Sequence, residues 1–99
     1  MKILNFGSLN IDYVYRVDRF VQAGETRAAA SMQRNVGGKG LNQSVALARA
    51  GAQVFHAGCV GADGVFLLDF LRDEGVDTRY IRTVSAPTGH AVIEVEESG

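Results

Sequence analysis

Apolar residues recur along the chain with spacings that predict a series of alternating strands and helices. The short apolar runs Ile3–Phe6 and Val54–Val60 stand beside glycines, which is typical of buried strands. In Leu41–Ala50 the apolar residues recur at i, i+4 and i+7, on one face of a helix. A wider apolar stripe follows in Val65–Leu71, and Arg79–Val84 predicts another short strand. This order predicts a parallel α/β sheet with right-handed crossovers.

Glycine and aspartate mark the ends of the two predicted helices. Gly51 and Gly75 follow the last apolar positions, where glycine commonly ends a helix because it adopts a positive φ at little cost. Asp63 precedes the second helix, so we expect its carboxylate to cap the helix N-terminus.

The segment between the first strand and the first helix does not fit this alternation. Tyr13–Val17 is aromatic and β-branched, which favours a strand. Gln22–Glu25 is typical of a turn, and Thr26–Asn35 predicts an irregular edge strand. We therefore expect a β excursion that stands off the main sheet.

A further predicted strand, Ala91–Val95, is followed by Glu96–Gly99. Such a strand and turn are typical of the first half of a hairpin, and no returning strand follows. Unpaired strands leave sheet edges open, which natural proteins normally cover. We therefore expect the chain to be the front part of a larger protein.

Composition narrows the possible functions. The 99 residues are 46% hydrophobic and 21% charged, which fits one small globular unit. Ten basic and eleven acidic residues leave a net charge of −1, which argues against a nucleic-acid partner bound through its phosphates. Neither a signal-peptide core nor an apolar run of the roughly 20 residues of a membrane span is present. We expect a cytoplasmic protein with no membrane partner.

The first candidate ligand-binding motif is the run Gly37-Gly38-Lys39-Gly40, which leads into the first predicted helix. Glycines allow close backbone approach, and a helix N-terminus offers N–H donors to anions or hydroxyl oxygens. The run departs from a Walker A loop, which requires Ser or Thr where Gly40 stands, and from the dinucleotide fingerprint, which requires a glycine where Gln43 stands. A plain glycine-rich loop with Lys39 in solvent is an equally good interpretation of this run alone.

Polar side chains near the first strand offer a second candidate. Asn10 and Asp12 point to the same side of an extended chain, where an amide and a carboxylate can hold two adjacent hydroxyls of a polyol. Asn42 lies in the first turn of the predicted helix and faces the same opening as the glycine loop. Local Asx turns and a surface amide explain these residues equally well.

The sequence offers few residues for a metal site or a catalytic nucleophile. The single cysteine, Cys59, excludes an internal disulfide and a paired-cysteine zinc site. His56 lies in an apolar strand, which predicts a structural role, and His90 stands apart from it. We therefore expect no metal site formed by these residues.

Several motifs together resemble those of the ribokinase-like, PfkB-type carbohydrate kinase family. They occur in family-like order and spacing over essentially the whole chain: Gly7–Asp12, Ala23–Thr26, Gly37–Gln43, Ala50–Ala52, Val60–Asp63, Gly75–Asp77 and Thr88–Gly89. Two departures are visible, since Ala23 stands where the family often has Pro, and Gly64 follows Asp63 directly. The second departure affects the start of a helix rather than the sugar site.

The resemblance implies a Rossmann-like parallel sheet flanked by helices, with a small β lid, incomplete in this chain. Residues 1–99 would be the amino-terminal part of the kinase domain, with lid segments at about residues 12–35 and 88–99. The substrate would lie between lid and sheet. The family positions that hold or cover the sugar match Asn10, Asp12, Gly38, Lys39, Asn42, Ala91 and Ile93.

The same resemblance implies an ATP-dependent kinase that phosphorylates a primary hydroxyl of a small sugar, with ribose as the expected substrate. ATP, Mg²⁺ and a monovalent cation are the cofactors that the family implies. Its ATP site and catalytic aspartate belong to the carboxyl-terminal part, and no Gly-Ala-Gly-Asp run occurs here. We therefore expect no catalytic residue and no kinase activity in these 99 residues alone.

Two other functions stay open at this stage. A non-catalytic sugar-binding or dimerisation module is one, and the exposed β lid favours a homodimer in either case. A nucleotide-binding domain that uses Gly37–Gly40 on phosphates is the weaker one, because both phosphate fingerprints fail.

Overall fold

The computed structural model describes residues 1–97 and arranges them in two three-stranded sheets with two helices. The elements follow in this order: β1 (Lys2–Phe6), β2 (Asn10–Val17), β3 (Ser31–Gly37), α1 (Lys39–Arg49), β4 (Gln53–Val60), α2 (Val65–Asp73), β5 (Asp77–Thr83) and β6 (Gly89–Glu96).

The main sheet has the strand order β1-β4-β5, with every pair parallel. Helices α1 and α2 connect its strands, as the alternating pattern predicts. Their apolar faces form the core together with Val54, Val60 and Val76. Leu41 is 1% exposed and Leu67 and Leu71 are fully buried, so the predicted helical stripes face the sheet, except at Val65, which is 46% exposed.

Within residues 1–97, one face of the main sheet is covered by the helices and the other is open. Leu4 and Phe6 are 64% and 83% exposed, and Tyr80 on β5 lies on the same open face. The prediction that Ile3–Phe6 is a buried strand is therefore wrong for the described residues. The side chains of β1 alternate between the helix-covered face and the open one, so its apolar run is divided between them.

The second sheet, called the outer sheet below, has the order β3-β2-β6. Strand β2 pairs antiparallel with β3 and parallel with β6, which confirms a β excursion apart from the main sheet. The segment Thr26–Ala30 lies outside β3, so only the second part of the predicted edge strand forms. Ser98 and Gly99, at the end of the predicted lid segment, lie outside the described residues.

Both helices end as the glycines predict, with φ of 97° at Gly51 and 84° at Gly75. The helix start at Asp63 differs from the expectation. Residues 62–64 form a single 3₁₀ turn, and the N-cap of α2 is Gly64, with no side-chain cap. The Asp63 carboxylate instead accepts hydrogen bonds from Thr88, so its predicted capping role is wrong.

Neither helix within residues 1–97 is long and apolar enough to cross a lipid bilayer.

Candidate functional site

The candidate site begins where β2 leaves the main body. Ile11 is fully buried in the core, whereas Asn10 and Asp12, one residue to either side, are partly exposed. Because side chains alternate along a strand, Asn10 and Asp12 lie together on the opposite face of the outer sheet. This face presents an amide and a carboxylate side by side.

Two glycines on the neighbouring strands make room for these side chains. Gly37 and Gly89 pair with Asn10 from either side. A Cβ on Gly37 would fall 2.6 Å from both carboxylate oxygens of Asp12, and one on Gly89 would fall 2.7 Å from Asn10 Oδ1. Both polar groups therefore lie against the backbone of the adjacent strands.

The glycine loop lies next to the same strand. Gly38 has a φ of 105°, and a Cβ there would fall 2.6 Å from the carbonyl oxygen of Ser8 and 3.1 Å from the Asn10 nitrogen. Only glycine satisfies both conditions. Lys39 follows as the first residue of α1, with its side chain exposed.

A second close approach fixes the start of α1. Gly7 and Gly40 touch backbone to backbone, since a Cβ on Gly7 would fall 2.7 Å from Gly40 Cα. Ser8 accepts the first amides of the helix: Leu41 N–H donates to its carbonyl at 3.0 Å, and Gly40 N–H to its hydroxyl at 3.4 Å. These two donors are therefore engaged within the protein rather than turned toward a ligand.

Strand β6 brings two more of the predicted residues onto the face of Asn10 and Asp12. Ala91 pairs with Asp12, and Ile93 pairs with Val14, two residues further along β2. Paired residues share a face of the sheet, so Ala91 and Ile93 extend the polar pair with an apolar surface. Both side chains are exposed.

Asn42 follows the glycine loop, and its N–H donates to the Gly38 carbonyl oxygen at 3.0 Å. It is exposed on the first turn of α1 and borders a groove with Val45, Ala46 and Phe70, on the side of the helix toward α2. The contacts of the described residues do not bring its side chain to Asn10 or Asp12, and its place in the site stays a prediction.

Thr88 is a positioning residue that the sequence reasoning missed. Its hydroxyl donates to Asp63 at 2.6 Å and accepts the Gly61 N–H at 2.8 Å, and its own N–H donates to Asp63 at 3.0 Å. These hydrogen bonds from Thr88 lower the pKa of Asp63. The side chain is 3% exposed, so the start of β6 is fixed to the end of β4 beside the candidate site.

Two glycines, which have no side chain, leave room for Thr88 and the residues before it. A Cβ on Gly64 would fall 2.4 Å from the Thr88 hydroxyl, and one on Gly61 would fall 2.3 Å from the Ala86 carbonyl oxygen. In the sequence, this contact is marked only by the motif Thr88–Gly89 and by the glycines after β4. The two segments are far apart along the chain, so the sequence does not reveal that they touch.

Within residues 1–97, no group of three or more His, Cys, Asp or Glu side chains is placed to hold a metal ion. On β2, the Asp12 carboxylate can accept hydrogen bonds and the neighbouring Asn10 amide can both donate and accept them, a combination that is chemically suited to hydroxyl groups.

The family model for pfkB family carbohydrate kinases matches residues 1–99. This chain belongs to the PfkB family of carbohydrate kinases. The members of this family are ATP-dependent carbohydrate kinases. The fold of the family contains a parallel sheet flanked by helices, and the main sheet of this chain agrees with it.

The similar curated relatives include several ribokinases. The chain is 44% identical to the ribokinase of Haemophilus influenzae over 95 residues, which cover 93% of this chain and 31% of that protein. It is 45% identical to the ribokinase of Bacillus subtilis over 92 residues, with 88% and 31% covered. The chain thus spans about a third of the length of these relatives.

Solved structures of PfkB-type kinases carry the same fold. The ribokinase of Cryptococcus neoformans in complex with ADP has a TM-score of 0.92 at 38% identity, covering 99% of this chain and 31% of that one. The ribokinase of Arabidopsis thaliana, complexed with ribose and ATP, has a TM-score of 0.86 at 35% identity, with 97% and 32% covered.

Proposed function

We propose that this chain is the sugar-binding and lid portion of an ATP-dependent sugar kinase whose acceptor is a primary hydroxyl of ribose. The observation that carries the proposal is the placement of Asn10 and Asp12 on one face of β2, directly beside Gly37 and Gly38. The similarity to ribokinases supports ribose over other small sugars.

The polar residues of the site orient the sugar. The Asp12 carboxylate accepts hydrogen bonds from sugar hydroxyls, and the Asn10 amide both donates and accepts. Lys39 and Asn42 hold further hydroxyls, and Gly38 allows the sugar to approach the backbone. Fixing several hydroxyls at once leaves the reacting hydroxyl in one orientation, which is the contribution of positioning to phosphoryl transfer.

The outer sheet acts as the lid in this proposal. Ala91 and Ile93 lie on the face that also carries Asp12, so they cover the sugar from the side of β6. Closure of such a lid excludes water and limits ATP hydrolysis without sugar. Arg34 of β3 stacks over Phe66 of α2 at 4.4 Å, a contact that joins the lid to the body.

We include ATP, Mg²⁺ and a monovalent cation in the proposal only because the PfkB family implies them. The residues described here supply sugar-binding groups, and we assign none of them to the nucleotide or to a metal. When bound, Mg²⁺-ATP supplies the phosphoryl group. We place this reaction in the cytoplasm, with neither nucleic acid nor membrane as a partner.

A dimerisation role is the second candidate, and the open edges of the outer sheet favour it. Strands β3 and β6 form the two edges within the described residues, and Val92 on β6 is 64% exposed. Edge strands with exposed apolar residues pair readily with a second copy. We therefore propose a homodimer through the lid, and a non-catalytic binding or dimerisation module if the sugar kinase proposal fails.

The test is a phosphorylation assay on the longest reading frame that contains this chain. ATP- and sugar-dependent release of ADP is measured across pentoses, hexoses and nucleosides. The proposal predicts the largest kcat/KM with ribose. A reading frame that releases no ADP with any of these acceptors would refute the kinase function, and a clear preference for another sugar would refute ribose.

A further inference from the structure

A chain of buried and partly buried hydrogen bonds lies beneath the glycine loop and joins β1, α1 and β4. Asn5 Nδ2 donates to Ser44 Oγ at 2.9 Å and to the Gly40 carbonyl oxygen at 3.0 Å. Ser44 Oγ lies 2.6 Å from His56 Nδ1, and His56 Nε2 lies 3.0 Å from the Gly7 carbonyl oxygen. The Ser44 and His56 residues are fully buried.

The partners assign the proton on His56. A carbonyl oxygen only accepts, so Nε2 carries the hydrogen that bonds Gly7. Ser44 Oγ already accepts from Asn5, and its own hydrogen therefore points to Nδ1, which accepts it. Every group in this network is satisfied when His56 is neutral.

Protonation of His56 breaks this arrangement. A second N–H on Nδ1 would face the Ser44 hydroxyl hydrogen, which would have to turn away in a site closed to water. The hydrogen-bond partners of the ring are the Ser44 hydroxyl on α1 and the Gly7 carbonyl after β1, with the Asn5 amide of β1 behind them. All three are uncharged, so none offsets a positive charge on the ring.

The two ends of the network are the two glycines that touch. Gly7 and Gly40 meet backbone to backbone, and each accepts a hydrogen bond from the network through its carbonyl oxygen. Gly40 directly follows Lys39, and Ser8, which follows Gly7, lies against Gly38. A shift at this junction would therefore move the loop that carries Gly38 and Lys39.

We infer that Asn5, Ser44 and His56 form a positioning network for the glycine loop, and that protonation of His56 weakens sugar binding. The second part rests on the proposed function. Burial lowers the pKa of His56 from its ordinary value of 6.5. The stability that the neutral ring contributes is therefore complete above about pH 6.5 and declines as the pH falls below it.

The network is tested first in this chain, without any sugar. Amide correlation spectra are recorded across the pH range in which the chain stays folded. We expect the amides of Gly38, Lys39 and Gly40 to shift with the same midpoint as the His56 ring. The shift is lost in His56→Gln, which keeps a donor and an acceptor but does not titrate, and it persists in His90→Gln, which removes the other histidine.

The sugar part is tested in the longer reading frame through KM for ribose. Between about pH 7.5 and a pH below the midpoint of the His56 ring, we expect KM to rise about fivefold or more, the lower end of typical coupling between sites. The rise disappears in His56→Gln, while kcat keeps the pH dependence of the wild type. His56→Phe, which leaves the Gly7 carbonyl unpaired, raises KM at both pH values.

The positioning network and its link to sugar binding are contradicted by different results. Glycine-loop amides that ignore pH, or that shift equally in His56→Gln, overturn the positioning network. A KM profile shared by the wild type and His56→Gln overturns the link to sugar binding. A wild type that phosphorylates no sugar at any pH refutes the proposed function and with it the sugar part, and the spectra still decide the network.

Discussion

Asn10 and Asp12 lie over the neighbouring strands because the residues beside them, Gly37 and Gly89, carry no side chain. At the residue scale, the candidate site therefore depends on missing Cβ atoms as much as on the polar groups themselves. Gly38 adds a positive φ directly before Lys39, the first residue of α1. Each of these positions can be tested by a single substitution.

Gly37→Ala is the sharpest of these tests. The backbone at Gly37 has an ordinary φ, but the added Cβ would displace the Asp12 carboxylate, which lies 2.6 Å away. We expect ribose affinity in the longer reading frame to fall about tenfold or more, measured by calorimetry. Met32→Ala, an exposed change on the opposite face of the same strand, is the matched control and keeps its affinity. Unchanged affinity in Gly37→Ala would contradict the role of Asp12.

Asp12→Asn tests the carboxylate itself. The substitution keeps the shape and removes the charge, and a hydrogen bond to a charged group contributes about 1.5–3 kcal/mol. We expect KM for ribose to rise about 10- to 100-fold. The control is Asp69→Asn, an exposed aspartate on α2 that pairs with Arg72, which we expect to leave KM unaltered. Equal KM values for the two variants would place the sugar elsewhere.

At the element scale, the link between β6 and the body decides where Ala91 and Ile93 lie. Thr88 makes this link through Asp63 and the Gly61 amide, before β6 begins at Gly89. Neither partner is near Thr88 in sequence. The link therefore forms only when the segment after β5 returns to the end of β4.

Thr88→Val should break this link while keeping the volume of the side chain. The buried Gly61 N–H then loses its partner, which costs about 1–3 kcal/mol in the free energy of unfolding. We expect a lower melting temperature by circular dichroism. Thr88→Ser keeps the hydroxyl and recovers most of the loss, and a Ser variant as unstable as the Val variant would show that packing, not hydrogen bonding, matters here.

Local patterns were sufficient for several elements. The helical spacing in α1 and α2 identified the buried faces, and Gly51 and Gly75 marked both ends. The β excursion was visible because aromatic and β-branched residues interrupted the helix-and-strand order. The candidate residues Asn10 and Asp12 were correctly placed on one side of the chain, since that follows from the strand period alone.

The same local patterns do not predict contacts between residues that are far apart in the sequence. The parallel pairing of β6 with β2 joins residues about 80 positions apart, and no local signal sets it. Asp63 had a good local interpretation as a helix cap, but Thr88 competes for its carboxylate. The apolar run of β1 gave no sign that half of its side chains face an open sheet. Hydrophobicity alone does not separate the covered face from the uncovered one.

At the scale of the whole molecule, one face of the main sheet stays open in the described residues. Leu4, Phe6 and Tyr80 are all more than half exposed there. The chain also spans only about a third of the length of the ribokinases it resembles. In the proposed function, the residues of β2 and the glycine loop orient the sugar, and this chain supplies part of the enclosure around it.

We predict that the 99-residue chain releases no ADP from ATP in the presence of ribose. Phosphoryl transfer needs stabilisation of the transferring group in addition to positioning, and we assign no residue of this chain to that task. The longer reading frame is the positive control in the same coupled assay. Sugar-dependent turnover by the 99 residues alone would show that catalytic groups lie within them.

A map of where ribose binds is the decisive test of the proposed site. Amide correlation spectra of the longest reading frame that contains this chain are followed during titration with ribose, and with a non-sugar polyol as control. We expect saturable shifts concentrated at Asn10, Asp12, Gly38, Lys39 and Ala91, and their loss in Asp12→Asn. Shifts concentrated away from β2 and the glycine loop, or none at saturating ribose, would contradict it.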